Sequence, residues 1–594
     1  MDCRSAAFAL TQIATLQELH NEDRLAVRAM HTAARVVAAH GQTDLVQALS
    51  GDLLLGEGVA PVALDVLRDL ALSNGSALLE RLQEATPEGL LEMLRVPGLG
   101  PSRIRAIHDG LHVDSLQELE RAARDGRLAA LPKFGEKTAE KIFKGIADLR
   151  ATGAYVLWPH GRAEAERIAD AIRAHPDVIE LAIAGSIRRR MEIVRDVDLV
   201  CAVRGIPSVV AATFAQLRGV REVLGGGGRT LSLRLDDGVR VDVSCVRPEQ
   251  FALALWRATG SNAHVKQVTE HAATLGLVLA GDELRDRDGA LVPVADEAAL
   301  YARLGLAYVV PEQREAMGEV EAAAHGAFPA LIRETDLVGA LHCHSHYSDG
   351  GASIHDMATA ARARGLQYLG ISDHSQSNTY AGGVSRDAIL RQHDEIDALN
   401  AQYAANGVAF RVLKGIEADI LPCGRVDYPA AVLDRFDFVI GSVHSRYGMN
   451  ERQMTDRVLK ALDDPHVTIL GHPTGRLLLT REPYAINLDA IIEKAGAVGV
   501  AMELNADPNR LDIDWRACRV AQEKGALVSI GPDAHSPQGL DHLELGVAHA
   551  RKGWLTPANV LNTRSADAVL AFARARRAPG ATAPAPLHVI PGSA

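Results

Sequence analysis

Chemistry-bearing residues gather in two parts of the chain. In Leu341 to Gly350, LHCHSHYSDG, histidines stand at every second position and an aspartate follows. On a strand, alternate side chains share a face, so His342, His344 and His346 are expected to form one row of imidazoles, with Cys343 and Ser345 turned away. A solvated His-rich edge would read the same way, so the other ligands decide. They recur downstream: Asp349; Asp373 and His374 in ISDHS; Glu417 in KGIEADIL; His444 in GSVHS; His472 in LGHPTG; Glu503 and Asn505 in ELNAD; Asp533 and His535 in GPDAHS. Each closes an apolar run. Imidazole and carboxylate donors without an inward thiolate suit zinc, manganese or iron rather than calcium or an iron–sulfur cluster. The donors exceed what one tetrahedral ion takes, which implies two or three ions sharing a carboxylate. Adjacent ions activate water and neutralise charge on a phosphoryl oxygen, the chemistry of phosphoester hydrolysis. Arg446, Arg476 and Arg510 follow strand-end motifs and could grip phosphates bidentately, or be solvated loop residues.

The second stretch is AGSIRRRMEIVRDVDLVCAV, in which Asp196 and Asp198 are two apart on an expected strand and share a face. A DxD pair alone is usually a solvated turn. It gains force from Asp242 in VRVDVSC, a charge inside an otherwise apolar strand of a neighbouring hairpin. Three carboxylates on adjacent strands can hold two magnesium ions, one activating a 3′ hydroxyl and one gripping a triphosphate. Gly185 and Ser186 let the backbone approach phosphate, and Arg188 or Arg189 can neutralise it.

These residues must be positioned by more than one domain, because 594 residues exceed one ordinary core. Lys and Arg number 63 against 75 Asp and Glu, a net charge of -12, which argues against coating nucleic acid by bulk charge but allows local basic surfaces. The six cysteines lack paired spacing and suit a reducing cytoplasm, and no apolar run is long enough to span a bilayer. Residues 1–150 read as short amphipathic helices around three Gly-containing turns, LLLGEGVAPVALDVL, LRVPGLGPSRIRAIHDGL and LPKFGEKTAEKIFKGI, an internal repeat. Residues 151–325 read as mixed α and β, with a helix at 163–175, strands IELAIAGS and DVDLVCAV, and a hairpin turning at Asp237-Gly238. GGGG at 225–228 reads as a flexible connection. From 336 to 575, seven apolar runs alternate with amphipathic helices, which predicts a closed or nearly closed parallel barrel with its chemistry at the C-terminal rim. The Pro/Ala/Gly-rich end, 576–594, is expected to be disordered.

The motifs HCHSHYSDG, SDHS, GIEADIL, SVHS, GHPTGR and PDAHS resemble, in order over roughly 240 residues, the polymerase and histidinol phosphatase (PHP) domain family. The resemblance implies a three-metal cluster in a distorted seven-stranded barrel. It assigns His342, His344, Glu417 and Asp533 to one metal, Asp349, His374 and His535 to a second, and Glu417, His444 and His472 to the third. Ala340 departs from the aspartate usual before the first histidine, which touches only the tuning of the ligands. GS, then DxD, then a lone Asp resembles the nucleotidyltransferase palm of family X DNA polymerases. That resemblance implies Asp196, Asp198 and Asp242 as ligands of Mg2+ or Mn2+, and Gly185, Ser186 and Arg189 at the incoming triphosphate, with Thr259, Gly260 and Ser261 as the later TGS element. Arg257-Ala258 stand where the family has Tyr-Phe, and Val265 where it has asparagine, changes that weaken nucleotide packing and sugar discrimination. The Gly-turn repeats resemble helix-hairpin-helix elements, whose amides meet phosphates without reading sequence; Gly98, Gly100, Gly135 and Lys137 would contact DNA.

The order of helical repeats, palm and thumb, then PHP barrel is that of bacterial and archaeal family X members. The implied activities are gap filling in DNA repair and a 3′-5′ exonuclease or phosphoesterase with two or three Mn2+, Zn2+ or Fe ions. The partners are gapped or nicked DNA with its 3′ ends and deoxynucleoside triphosphates, for a monomeric, cytoplasmic protein with no membrane contact. Alternatives are a weak palm serving as a DNA platform for the nuclease, and a small-molecule phosphatase. No lysine precedes Lys133, and Leu64 stands near the place of the family's Schiff-base nucleophile, so no lyase activity is expected from the first domain.

Overall fold

The computed structural model describes residues 3–577 apart from 41–42, 51–58, 74–75, 85, 87–89, 91–92, 95, 97–98, 114–115, 152–154, 228 and 380. Contacts divide the chain into two compact units, Met1–Ala154 and Tyr155–Ala594.

The first unit is helical, with two cores. In Arg24–Ala39, Met30, Ala33, Ala34 and Val37 are buried at helical spacing, and Asp23 caps the start by accepting from Leu25 N–H. They pack with Leu10, Ile13, Leu67 and Leu70. The second core joins Ile104 and Ile107 of Pro101–Leu111 to Leu119, Ile142 and Ile146 of the following helices. The centre of the first Gly-turn repeat and Gly98 of the second lie outside the described residues.

The second unit opens with β1 (Val156–Leu157), which pairs with β3 (Ile193–Val194). A five-stranded sheet follows in the order β2 (Val178–Ile183), β4 (Asp196–Val203), β7 (Arg240–Val246), β6 (Thr230–Leu235), β5 (Val220–Gly227). β4 and β7 run parallel and the other neighbours antiparallel. The hairpin between β6 and β7 turns at Gly238, which has φ +88°. Gly225 to Gly227 are not a flexible connection: they continue β5, with Gly225 opposite Ser232 and Gly227 opposite Thr230. Backbone pairing with β6 supplies what glycine's weak strand propensity lacks. The helix expected at 163–175 is Trp158–Arg173. β8 (Val278–Ala280) and β9 (Glu283–Arg285) form a small hairpin among the helices that follow.

Seven parallel strands then pair in chain order: β10 (Gly339–Ala340), β11 (Tyr368–Ile371), β12 (Arg411–Asp419), β13 (Phe438–Ser442), β14 (Val467–Leu470), β15 (Ala501–Asn505) and β16 (Val528–Gly531). Alternation sorts their side chains. Tyr368, Leu413, Phe438, Ile440 and Ile469 turn inward and meet Val569, Leu570 and Ala573 of the final helix, while Leu369, Val412, Val439, Met502 and Val528 face the surrounding helices. Apolar residues therefore fill the N-terminal half of the barrel, leaving the polar strand ends above them. β10 is shorter than the predicted GALHC run. Closure comes just beyond it, where Cys343 bridges Ala534, His344 N–H donates to Ala534 O at 2.9 Å and Ala534 N–H donates to His342 O at 3.2 Å.

Two boundaries differ from expectation. The final helix Ala566–Arg577 extends past 575, and Arg576 donates to the carbonyls of Val498, Leu462 and Asp464 at 2.6 to 2.9 Å. Leu511 and Leu545 of the barrel enter the palm's apolar core, so the two chemistries share one compact unit. Cys201 and Cys245, distant in sequence, come into register on β4 and β7; the described cysteines are all free thiols. Among the described residues no helix is long and apolar enough to cross a membrane.

Candidate metal centre and nucleotidyl-transfer site

At the barrel rim the strand-end residues converge on Glu417. Its Oε2 lies 2.8 Å from His374 Nδ1, 3.4 Å from His342 Nε2 and 3.8 Å from His344 Nε2. Its Oε1 lies 2.9 Å from His472 Nε2 and 3.3 Å from His444 Nε2. Asp533 Oδ1 adds 3.1 Å to His344 and 3.4 Å to His342, and Asp349 Oδ2 stands 3.4 Å from both His374 Nε2 and His535 Nε2. Three donor groups capable of holding an ion result: His344, Asp349, His374 and His535; His342, His344 and Asp533; His374, Glu417 and His444. His342 Nε2, His344 Nδ1 and Glu417 Oε2 are buried and have no hydrogen-bond partner. Buried donors that face one another without hydrogen bonds fit divalent cations.

Three of the imidazoles are aimed from behind. Glu503 Oε1 holds His342 Nδ1 at 2.6 Å, Asp419 Oδ1 holds His444 Nδ1 at 2.7 Å, and the Asp533 carbonyl holds His535 Nδ1 at 2.9 Å. Glu503 Oε2 also accepts from His472 N–H at 2.7 Å. Asn505 donates to Glu503 and to Asp533. Glu503 and Asn505, which the sequence offers as possible ligands, therefore orient ligands. Asp419 escaped the sequence reading although it follows Glu417 by two on β12, the same face of a strand. Asp373 is likewise occupied, accepting from Ser345 N–H and Oγ, Ser348 Oγ and Gln392.

Two expectations for the rim are corrected. His346 is exposed and outside the cluster, because the segment leaves strand geometry after His344 and turns at Tyr347 to Asp349. Arg476 is not available to a phosphate, since it donates to Arg510 O at 3.0 Å, to Asp514 at 3.1 Å and to Leu511 O. Arg510 does face the site, with Nε 3.3 Å from Asp533 Oδ2. Ala340 is buried in the apolar core.

Protonation follows this crowding. Burial alone would raise Glu417, but His444, His374 and His342 outweigh it and hold the carboxyl well below the usual range; Asp533 behaves likewise. Against their own burial, His374 and His535 are drawn up to about 9 and His444 to about 10 by facing carboxylates. Burial and Arg510 push His472 down to about 3. Cations held by these atoms would take the place of those protons.

In the palm, Asp198 of β4 stands in register with Asp242 of β7, and Asp196 precedes Asp198 on the same face. Ser232 Oγ donates to Asp242, and Arg240 lies 2.9 Å from it. Burial first, then repulsion from Asp196 and Asp242, raises the Asp198 carboxyl to about 7. Gly185 passes directly over it at φ +60°, where an added Cβ would sit 1.8 Å from Asp198 Oδ2, so this position accepts only glycine. The Ser186 hydroxyl is buried without a hydrogen-bond partner. Arg188 donates to Thr259 Oγ1 at 2.7 Å and pairs with Glu297 at 2.6 Å. Arg189 donates to Thr259 O at 2.7 Å and pairs with Glu315 at 2.9 Å. Thr259 ends one helix, Gly260 caps it, and Ser261 caps the next by accepting from His264 N–H, so the TGS element is a helix junction tied to the GS loop by two arginines. Arg257 turns toward Asp282, 3.8 Å away. The palm carboxylates are not among the groups whose donor atoms all lie within 4.8 Å of one another.

In the helical unit, Gly100 and Gly135 begin the helices Pro101–Leu111 and Glu136–Ala151, accepting from Ile104 and Ala139 N–H. Added Cβ atoms there would meet nothing, and Lys137 is exposed. Lys133, at the place of the first glycine, keeps the glycine-like φ of +70°.

Separate sets of chemistry-bearing side chains thus stand in two parts of the chain, one on a palm sheet and one on a barrel rim. Residues 340–507 match the PHP domain, 254–315 the DNA polymerase beta thumb and 90–148 the SAM-like helix-hairpin-helix tandem. The DNA polymerase/3′-5′ exonuclease PolX of Bacillus subtilis (strain 168) is 36% identical over 571 residues, 95% of this chain and 98% of that protein. A probable phosphatase of Syntrophotalea carbinolica is 28% identical over 245 residues, 39% of this chain and 94% of the relative. A solved ternary complex of Leishmania infantum polymerase beta is 18% identical, covers 38% of this chain and 98% of that chain, and has a TM-score of 0.25. The chain belongs to the PolX family, the family X DNA polymerases that carry a PHP domain.

Proposed function

We propose that this chain fills short gaps in DNA at its palm and trims 3′ ends at its barrel, within one repair enzyme. The observation that carries the reading is the coexistence of two donor sets in one compact unit, with Asp198 and Asp242 in register and the rim histidines gathered on Glu417. Asp196, Asp198 and Asp242 would hold Mg2+ or Mn2+, which when bound activates the primer hydroxyl and neutralises the triphosphate. Gly185, Ser186 and Arg189 meet the phosphates, the Ser186 hydroxyl having no competing partner. Thr259, Gly260 and Ser261 would stand beside the same phosphates, tied to that loop through Arg188 and Arg189.

At the rim, His342, His344, Asp349, His374, Glu417, His444, His472, Asp533 and His535 would hold two or three Mn2+, Zn2+ or Fe ions. Those ions, when bound, supply a water nucleophile and a sink for phosphoryl charge. Arg510 orients Asp533, and Glu503 and Asp419 keep Nε2 of His342 and His444 aimed inward. The Gly100 and Gly135 helix starts and Lys137 would grip DNA phosphates without reading bases, together with Gly98, two residues before Gly100 in sequence. The protein works as a cytoplasmic monomer on gapped or nicked duplex and deoxynucleoside triphosphates. A second reading makes the palm chiefly a DNA platform: Arg257 turned toward Asp282 and Ala258 offer the nucleotide sugar no aromatic face.

Incubating the chain with a gapped duplex and Mg2+ or Mn2+, with all nucleotides or none, tests both readings. Extension and nucleotide-free shortening support the first; shortening alone supports the second. Asp198→Ala is expected to abolish only extension and His344→Ala only shortening. Loss of both activities from either variant, with the fold intact, defeats the assignment of separate sites.

A further inference from the structure

The helix His542–Lys552 of the barrel ends against the palm with a lysine that none of this chemistry uses. Lys552 is fully buried. Its ammonium has three donors, and all three cross the domain boundary: to Arg189 O at 3.2 Å, to Glu312 O at 3.1 Å and to Glu315 Oε1 at 2.5 Å. The Trp515 ring lies 4.8 Å from the same ammonium. Glu315 Oε1 is also the acceptor for Arg189 Nε at 2.9 Å. One carboxylate thus couples the barrel ammonium to the side chain of Arg189, while the ammonium itself holds the Arg189 backbone. Burial alone would raise the Glu315 carboxyl, but Lys552 and Arg189 outweigh it and keep it below its ordinary value. The next residue is held from the same helix, Arg190 pairing with Glu544 at 2.8 Å.

We infer that Lys552 is a positioning residue for nucleotide incorporation, fixing Arg189 from the barrel side in the loop that would meet the incoming triphosphate. The inference rests on the proposed role of the Gly185–Arg189 loop at the triphosphate. Without the ammonium, Arg189 gains conformational freedom that nucleotide binding must then remove. The loss falls on KM for the nucleotide more than on kcat.

The test uses the full chain with Lys552→Met, following gap filling in Mg2+ and nucleotide-free shortening of 3′ ends, with melting temperature as a control. Nucleotide KM is expected to rise about tenfold, while kcat and shortening stay within about twofold. Equal loss of both activities in step with a lower melting temperature would make Lys552 a structural residue only and overturn the inference. Because Lys552→Met leaves Glu315 buried with one cation fewer, Lys552→Met/Glu315→Leu is measured beside it; replacing both members of a buried pair is commonly tolerated. The same rise in KM is expected there, and an unchanged KM refutes the coupling. Arg189→Ala separates the levels: if it leaves KM unchanged, the triphosphate reading itself fails. If it raises KM while both Lys552 variants do not, only the role of Lys552 falls.

Discussion

The barrel rim and the palm solve the same problem, gathering negative charge for cations, in opposite ways. At the rim, donors from six of the seven strand ends meet around Glu417, and carboxylates and imidazoles neutralise one another at 2.8 to 3.8 Å. In the palm, three carboxylates share a face with no imidazole between them, and burial, then mutual repulsion, lifts Asp198 to about 7. The rim thus balances its carboxylates with its own imidazoles. The palm has no such internal balance, and cations bound there would supply the missing positive charge.

The largest effects should come from the glycines that let each carboxylate sit where it does. An added Cβ at Gly185 would lie 1.8 Å from Asp198, and one at Gly531 would lie 2.0 Å from Glu503 Oε1. Gly185 has φ +60°, so Gly185→Ala strains the backbone and should abolish extension while shortening continues. Gly531→Ala displaces the Glu503 carboxylate and presses His342 Cβ, 3.1 Å away, and should reduce shortening while extension continues. If both variants lose both activities in assays on gapped duplex, the two sites are not independent and the contrast breaks.

A smaller effect is expected from Glu503→Gln. The carboxylate holds His342 at 2.6 Å and His472 N–H at 2.7 Å, and an amide cannot accept both with the same orientation. Residues that orient a ligand typically cost about 10–100-fold in metal affinity or activity when changed. Shortening at limiting Mn2+ should fall by that order and recover with excess Mn2+. Failure of added metal to restore it would mean that Glu503 does more than aim His342.

The same contrast explains what could be read in the sequence. The gathering of the rim residues is legible because each ends an apolar run, and strands of a parallel barrel place their ends on one rim. The shared face of the palm carboxylates is legible from two-residue spacing plus a lone charge in an apolar strand. Neither pattern exposed what depends on chain closure or on distant pairing. His346 keeps the alternation of its neighbours in sequence, yet the turn at Tyr347 to Asp349 takes it out of the site. GGGG reads as a loop, but the partner β6 makes Gly225 to Gly227 a strand edge. Arg476 looks like a phosphate grip until the loop carbonyls of Arg510 and Leu511 claim it. Asp419 follows Glu417 by two and was the one orienting residue within reach of the same spacing argument. The pairing of Lys552 with Glu315, 237 residues apart, leaves no local signal.

The smallest effect is one of pH, and the two sites should show it with opposite sign. Asp198 is raised by burial and by Asp196 and Asp242 to about 7, above an unfolded value of about 3.9. Between these values the folded chain binds the extra proton, so this group's contribution to stability falls as pH rises through the window. Glu417 is held well below its ordinary value, burial being outweighed by His444, His374 and His342. Its contribution is present above its unfolded pKa of about 4.3 and is lost as pH falls through its folded value. Melting of the metal-free chain should therefore show Asp198→Asn gaining on the parent from pH 5 to pH 8, with Mg2+ removing the parent's deficit. Glu417→Gln should lose against the parent near pH 7 and recover part of that loss in acid. Variants that shift in the same direction would mean that imidazoles do not neutralise the rim, and the barrel, like the palm, would then be assembled by its ions.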